Sequence, residues 1–314
     1  MPTLSDERGT LDVAIVSYRC KERLHDCLAS LERHPPSAVA MTVRVVDNGS
    51  GDGTLDMLAR EFPDVSVIAN ADNRGFAAAS NQAITAGRAP VVLVINPDTC
   101  LEAGTIDTLL AVMDAEPRVG IAGPALLTED GSPDHAAARS FPTPLSSLGH
   151  FTGLGRRPRA PDALRSYARD PAAAGPVDAV NGAFMLIRRA ALDQVGDFDE
   201  GYWMYMEDLD LCWRFGEAGW LTWYEPSVSA FHLKGGSAGP VRSLRLDYAF
   251  HYGMYRFYRR HYAPSRNPLL NVVVFAGILT HLGISVARTG LVRTFSPQDD
   301  GGREGKEAEI TGQG

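Results

Sequence analysis

Residues 90–101 read PVVLVINPDTCL. Val91 to Ile95 form an unbroken run of apolar, mostly β-branched residues. That is the pattern of a strand covered on both faces, as in a parallel sheet. The run halts at Asn96-Pro97-Asp98-Thr99. Proline has no N–H to give to a ladder, so the strand is expected to end there. Asp98 then stands at the carboxyl end of a central strand, the edge where open α/β sheets hold ligands. Two readings fit this fragment equally: a carboxylate holding a divalent cation against a phosphate, or an Asx turn closing a strand.

Upstream, the same grammar repeats. Leu11–Tyr18, Met41–Val46 and Val65–Ala69 read as strands. Arg23–Arg33, Thr54–Phe62 and Ala77–Gly87 have helical spacing between them. Strand and helix in alternation predict βαβ units and a mostly parallel sheet flanked by helices. Each loop after a strand is rich in Asp, Asn or Gly, as in Asp47-Asn48-Gly49-Ser50-Gly51-Asp52-Gly53 and Asn70-Ala71-Asp72-Asn73-Arg74-Gly75. Those loops meet on one sheet edge, where a nucleotide site is the usual occupant. No GxGxxG follows the first strand and no GxxxxGK[ST] occurs, which disfavours a dinucleotide fold and a P-loop.

Downstream, Glu102–Ala115 is a helix and Val119–Leu127 a strand. Residues 128–176 carry seven prolines and the basic cluster Arg156-Arg157-Pro158-Arg159. A connection of that length reads as a mobile loop or an irregular insertion. Val177–Arg189 reads as one strand with a glycine, Gly182, where something must approach the backbone closely. In Phe198–Arg214, the acids Glu207, Asp208 and Asp210 lie among five aromatic residues. Glu207 and Asp208 would open a helix, where the dipole favours acids. Burial among aromatic rings would instead raise a carboxyl pKa and suit a general base. Residues 220–233 read as two short strands broken at Pro226, ending at His232 before Lys234-Gly235-Gly236-Ser237.

The chain of 314 residues can bury a large core. Its net charge of −8 argues against general nucleic-acid binding. Four cysteines without metal spacing look like reduced thiols of a cytosolic protein, and the polar first ten residues do not resemble a signal peptide. Residues 1–10 read as a loose tail and 297–314 as disordered. Residues 241–296 form an aromatic, basic and then apolar helical extension. Asn267–Ala287 contains no Asp, Glu, Lys or Arg, yet Asn267, Asn271, His281, Ser285 and Arg288 share one stripe. Such a helix suits a membrane interface, with the preceding Tyr, Phe and Arg residues as anchors, or it caps the domain as a core element.

The segments VAIVSY, VDNGSGDGT, NRGFAAASNQAI, VINPDT, GAFMLIRR, YMEDLDLCWR and FHLKGGSAG, in this order over residues 11–240, resemble the family 2 glycosyltransferases of the GT-A fold. Within them, the chain is most similar to actinobacterial rhamnosyltransferases acting on GlcNAc-diphospho-polyprenol. The resemblance implies a nucleotide-sugar donor such as dTDP-rhamnose, a polyprenyl-diphosphate sugar acceptor, and a divalent cation, Mg²⁺ or Mn²⁺. It implies an enzyme on the inner face of the cell membrane, touching it through residues 241–288, with no nucleic-acid partner. By the same resemblance Ser17 and Tyr18 line the nucleotide pocket, Asp47 accepts from the base, and Asn73 and Arg74 form a second base-side loop. Asn96 and Asp98 stand where the family has its Asp-x-Asp, with the first acid neutral here. His232 completes the metal site. Asp208 is the base, with Glu207 beside it. A galactofuranosyl or other hexosyl transferase, a nucleotidyltransferase and a non-catalytic nucleotide-sugar scaffold are the alternatives.

Overall fold

A computed structural model describes residues 9–156, 161, 173–233 and 243–295. The basic cluster from Arg157 onward, the Lys234–Ser237 loop and the two expected tails lie outside these residues, apart from Gly9 and Thr10. Thr10 already belongs to a strand.

In chain order the strands are β1 (Thr10–Ser17), β2 (Ala40–Asp47), β3 (Ser66–Ala69), β4 (Val91–Ile95), β5 (Thr99–Leu101), β6 (Val119–Leu127), β7 (Ala138–Arg139), β8 (Gly175–Val177), β9 (Ala179–Val180), β10 (Phe184–Arg188) and β11 (Leu221–His232). The α-helices are α1 (Lys21–Arg33), α2 (Thr54–Glu61), α3 (Phe76–Ala86), α4 (Thr105–Ala115), α5 (Pro144–Thr152), α6 (Arg189–Val195), α7 (Glu207–Glu217), α8 (Leu244–Phe257) and α9 (Pro268–Phe295). A π-helical turn, Tyr258–Tyr262, follows α8.

The main sheet runs β3-β2-β1-β4-β10-β6-β11-β5, with β8 also on β11. Its first half is parallel, as expected: β1 pairs with both β2 and β4, and β2 with β3. All five residues of β4 are buried, and Ala77 and Ala79 of α3 are fully enclosed beneath the neighbouring strands. The second half corrects the expectation in three places. β10 lies between β4 and β6 and runs antiparallel to both, so the sheet is mixed. The expected strand 177–189 is three short strands, because the chain turns at Asn181–Ala183 before entering the sheet. Residues 221–232 form one strand rather than two. Its register with β6 slips between Glu225 and Ser229, and this bulge absorbs the N–H that Pro226 lacks.

The amino end of the sheet is closed by a buried carboxylate. Asp12 Oδ1 accepts from Arg44 Nη1 at 2.5 Å, and Oδ2 accepts from Arg189 Nη2 at 2.9 Å and the Ala89 amide at 2.8 Å. Gly87 makes the space, since a Cβ there would lie 2.1 Å from Asp12 Oδ2. This one side chain joins β1, β2, the start of α6 and the approach to β4. Removing it leaves two guanidinium groups without their counter-charge in a largely buried place. Asp12→Ala should therefore cost about 3–5 kcal/mol, read as the fall in unfolding free energy in a urea titration.

Candidate active site

The loops after β1, β2 and β3 are knotted by Asn48, which directly follows β2. Its amide donates to Ser17 O at 2.8 Å. Its Nδ2 donates to Asn73 Oδ1 and Gly75 O, both at 3.1 Å. Its Oδ1 accepts from the Arg74 amide at 3.1 Å and from Asn70 Nδ2 at 3.0 Å. One short side chain thus fixes the relative positions of Ser17, Asn73 and Arg74. Ser17 is fully buried, with its hydroxyl 3.5 Å from Cys20 Sγ, so it shapes the strand end from within. Tyr18 is half-buried beneath the Arg19 guanidinium. Asp47 Oδ2 accepts from the Ser50 amide at 3.3 Å. Its other oxygen, Oδ1, is buried and has no hydrogen-bond partner among the described residues. A buried carboxylate oxygen left in that state is costly unless a ligand completes it.

The second group forms at the end of β4. Pro97-Asp98 separates β4 from β5, and β5 pairs with the end of β11, which places His232 beside Asp98. His232 Nε2 lies 3.5 Å from Asp98 Oδ1, and that oxygen is buried with no hydrogen-bond partner among the described residues. One carboxylate oxygen and one imidazole nitrogen are a donor set that fits Mg²⁺ or Mn²⁺. No cluster of three or more His, Cys, Asp or Glu side chains able to hold a metal ion exists among the described residues. Behind His232, its Nδ1 lies 3.7 Å from Asp134 Oδ2, the arrangement that orients a ligating imidazole. Asn96 anchors through its backbone, its amide donating to Ala183 O at 3.0 Å.

The third group is the first turn of α7. Glu207 and Asp208 are both buried, and both open this helix as expected. Asp208 Oδ2 accepts from Arg139 Nη2 and from the Gly182 amide at 2.9 Å, while Oδ1 accepts from the Leu209 amide at 2.8 Å. Gly182 allows this approach, because a Cβ there would come within 3.3 Å of the Asp208 side chain. Glu207 is the acid whose pKa rises above the ordinary carboxyl value of 4.5. Burial is the main cause, and the Asp208 charge adds to it. Of the two acids expected to gain from burial, the structure gives the raised pKa to Glu207 and the ion pair to Asp208.

The structure therefore gathers the expected residues into a donor-loop group (Ser17, Tyr18, Asp47, Asn73, Arg74), a strand-end pair (Asp98, His232, with Asn96) and an acid pair (Glu207, Asp208). The turn at 181–183 touches both the strand end and the acid pair. Asn48, Asp134, Arg139 and Gly182 were not singled out as site residues. Asn48 carried a signal, since it lies inside the Asp/Asn/Gly loop. Asp134 and Arg139 lie in the segment that reads as a mobile loop or an irregular insertion, and nothing local marks their long-range partners.

Solved structures share this architecture. The protein superposes on the mannosyltransferase PcManGT of Pyrobaculum calidifontis, solved in complex with GDP-Man and Mn²⁺. The TM-score is 0.55 at 15% identity, covering 95% of this chain and 79% of that one. It also superposes on GalNAc-T7, solved with UDP, GalNAc and Mn²⁺, with a TM-score of 0.57 at 14% identity, covering 90% and 58%. The fold is thus that of the GT-A class. The profile described as "Glycosyltransferase like family 2" matches residues 9–246, and the chain belongs to this glycosyltransferase family. The N-acetylglucosaminyl-diphospho-decaprenol L-rhamnosyltransferase of Mycobacterium tuberculosis (strain H37Rv) is 37% identical over 273 residues, 82% of this chain and 87% of that protein. The low-salt glycan biosynthesis hexosyltransferase Agl10 of Haloferax volcanii is 26% identical over 208 residues, 65% and 61% of the two chains.

The raised Glu207 pKa has a stability consequence with a definite sign. Between the unfolded carboxyl pKa and the raised folded one, the native state binds more protons than the unfolded state, so stability falls as pH rises. Glu207→Gln removes that term. The melting temperature of the variant minus that of the wild type should increase steadily from pH 4.5 toward alkaline pH. A difference that stays flat across that range would show that Glu207 ionises freely in the folded protein.

Proposed function

We propose that this glycosyltransferase moves L-rhamnose from dTDP-rhamnose onto a polyprenyl-diphosphate-linked sugar, with inversion at the anomeric carbon. The observation that carries the reading is that two buried oxygens at the same carboxyl edge of the sheet, Asp47 Oδ1 and Asp98 Oδ1, accept no hydrogen bond from the described residues, with His232 Nε2 facing the second at 3.5 Å. One suits a ring N–H of the nucleotide base, and the other suits a cation against the diphosphate. The likeness to the mycobacterial rhamnosyltransferase supports the choice of sugar and acceptor.

In this mechanism Asp47 and the Asn48-organised loops hold and orient the nucleotide. Asp98 and His232 hold the divalent cation, which when bound supplies positive charge against the departing diphosphate. Asp208 takes the proton of the attacking acceptor hydroxyl. Its Oδ2 is engaged by Arg139 and Gly182, which aims the carboxylate. Its Oδ1 carries one backbone bond and keeps a further lone pair for the incoming proton. Attack from the face opposite the diphosphate makes a single displacement and needs no covalent intermediate. Asp210 is unsuited as the base, because His261, Arg214 and Tyr202 already occupy its carboxylate.

The acceptor lipid is met by the C-terminal helices on the inner face of the membrane. Asn271 and His281, from the middle of the polar stripe of α9, are turned toward the protein, while Asn267 and Arg288 at its ends are exposed. Asn271 Oδ1 accepts from Tyr258 OH at 2.7 Å, and His281 Nδ1 lies 2.6 Å from His251 Nε2 of α8. The outward face carries Leu269, Val272, Val273 and Leu279 at 64–76% exposure. Pro268–Arg288, with mean hydropathy 2.0, is long and apolar enough to cross a bilayer. Arg259, exposed ahead of α9, offers positive charge that suits anionic lipid or an acceptor diphosphate.

Transfer is tested with dTDP-rhamnose, UDP-galactofuranose, UDP-GlcNAc and GDP-mannose, each with Mg²⁺, Mn²⁺ or EDTA. Rhamnose transfer that needs the cation and is lost in Asp98→Ala is the expected result. Use of another donor would replace the sugar and keep the site. Asp208→Asn should bind dTDP-rhamnose within about twofold of wild type while transfer falls by about 10²–10⁴-fold. Normal turnover in that variant would remove Asp208 from its role. Removing residues 267–314 should abolish sedimentation with anionic lipid vesicles, and a truncated protein that still pellets would refute the membrane contact.

A further inference from the structure

Two residues directly before the acid pair adopt a backbone that side chains disfavour. Tyr205 and Met206 have φ of +71° and +73°. Neither is glycine, and both sit in the left-handed region, where an L residue is strained. Such a pair persists only where surrounding structure holds it. The turn they form leads straight into Glu207 and Asp208, so its geometry sets where the acids point.

The surrounding structure here is helix α8. Gly253 faces the turn so closely that a Cβ would lie 3.0 Å from Tyr205 O and 3.1 Å from Met206 Cγ. Phe250, one turn earlier, packs edge-on against the Tyr205 ring at 5.8 Å between centroids. Arg256 clasps Asp199 at the start of the turn segment, with Nε at 3.1 Å and Nη2 at 2.8 Å from Oδ2. Arg260 joins the same carboxylate. Arg245 stacks on Trp203 at 4.0 Å. Trp203 in turn accepts from the Phe76 amide at 2.8 Å, on the donor-loop side. Past the acids, His261 Nε2 lies 2.7 Å from Asp210 Oδ1. The π-helical turn 258–262 lies at this place, and such turns recur at functional sites. From Arg245 to His261, successive turns of one helical run grip residues 199–210.

We propose that α8 is a positioning element of the catalytic site: Gly253 seats the Tyr205–Met206 turn and the Asp199–Arg256 pair latches it, so Glu207 and Asp208 are correctly aimed only while α8 is docked. The proposal rests on the transferase reading and deepens it. It also gives the C-terminal hairpin a second task. α8 is the helix against which the polar stripe of α9 packs, so the element that meets the lipid acceptor also aims the base. Gly253 and Asp199 touch no substrate in this scheme. They act through the turn.

Three variants test this against wild type. Gly253→Ala favours the helix by propensity but presses a methyl group against the strained turn. Asp199→Asn keeps the shape of the latch and removes its charge. Gly9→Ala, directly ahead of β1 and outside every group of the site, is the control, because nothing lies within 4 Å of its new methyl group. Transfer kinetics should show kcat falling at least tenfold in Gly253→Ala and in Asp199→Asn. KM for the nucleotide sugar and Kd for its nucleoside diphosphate should stay within about twofold, and the control should match wild type. Amide hydrogen exchange supplies a readout that does not depend on turnover. Residues 205–211 should exchange faster in both test variants, while residues 91–101 stay protected as in wild type. If Gly253→Ala does not fold, Asp199→Asn alone decides. Unchanged kcat together with unchanged exchange at 205–211 would overturn the proposal. So would an equal loss of donor affinity and kcat, which marks a merely structural role. A wild-type protein that transfers no sugar would instead overturn the transferase reading, and the exchange measurement would still decide the clamp.

Discussion

The turn Asn181-Gly182-Ala183 is the constraint on which the site depends. Its Ala183 carbonyl accepts from the Asn96 amide at 3.0 Å, at the end of the strand that presents Asp98. Its Gly182 amide donates to Asp208 Oδ2 at 2.9 Å. The Asn181 amide donates to Ala137 O at 3.0 Å, which carries the neighbouring Arg139 into reach of Asp208. Three adjacent peptide groups therefore tie the strand end, the acid helix and its guanidinium partner together. Backbone hydrogen bonds are short and directional, and a turn of this size has little freedom. The turn exists because β10 enters the sheet antiparallel at the carboxyl edge of β4. A parallel β10 would enter from the opposite edge, and no backbone would bridge Asp98 and Asp208.

The buried acids of this protein divide by how completely they are satisfied. Asp12 receives two guanidinium groups and an amide, and it holds elements together far from the carboxyl edge. Asp210 is likewise filled, by Arg214, His261 and Tyr202. Asp47 and Asp98 each keep one buried oxygen with no hydrogen-bond partner among the described residues, the second facing His232 Nε2 at 3.5 Å, and both lie at the carboxyl edge. Glu207 also keeps one, and there the raised pKa offsets the cost by favouring the neutral form. Burial alone does not separate structural from functional carboxylates. An unfilled lone pair marks an oxygen that folding has desolvated and that a ligand, a water or a proton would satisfy.

The first half of the sheet was legible because each strand and helix announces itself locally. β4 is a solid apolar run, and Asn96-Pro97-Asp98 ends it where any reader of the sequence would end it. The βαβ alternation implies parallel pairing among β1 to β4, and the structure supplies their order, β3-β2-β1-β4. The second half was not legible for equally physical reasons. FMLIR at β10 is buried on both faces, and a doubly covered strand has the same composition whether its neighbours run with it or against it. Pro226 looks like a break until a bulge takes the place of its missing donor. The acids at 207, 208 and 210 stood out by clustering, yet their sorting into a pair with Arg139, a raised acid and a filled structural acid depends on partners far away in sequence. Asp134 and Arg139 are ordinary residues in a proline-rich stretch, and only the fold makes them neighbours of His232 and Asp208.

The proposed donor and acceptor sides are built on different physics. On the proposed donor side, Asn48 and the strand ends are held to one another by backbone and amide hydrogen bonds. On the acceptor side, the acids are aimed by a strained turn held against a helix, and that helix continues into one whose outer face is apolar and exposed. Polar groups of α9 are spent inward, on Tyr258 and His251, rather than on solvent. A helix oriented for water would place Asn271 and His281 outward and Val272 and Val273 inward. The observed orientation is stable in water only at the cost of hydrating a broad apolar face, and that cost vanishes where the face meets a bilayer. Seating that face in a membrane would therefore favour the docked helices, and the docked α8 is what the strained Tyr205–Met206 turn leans on.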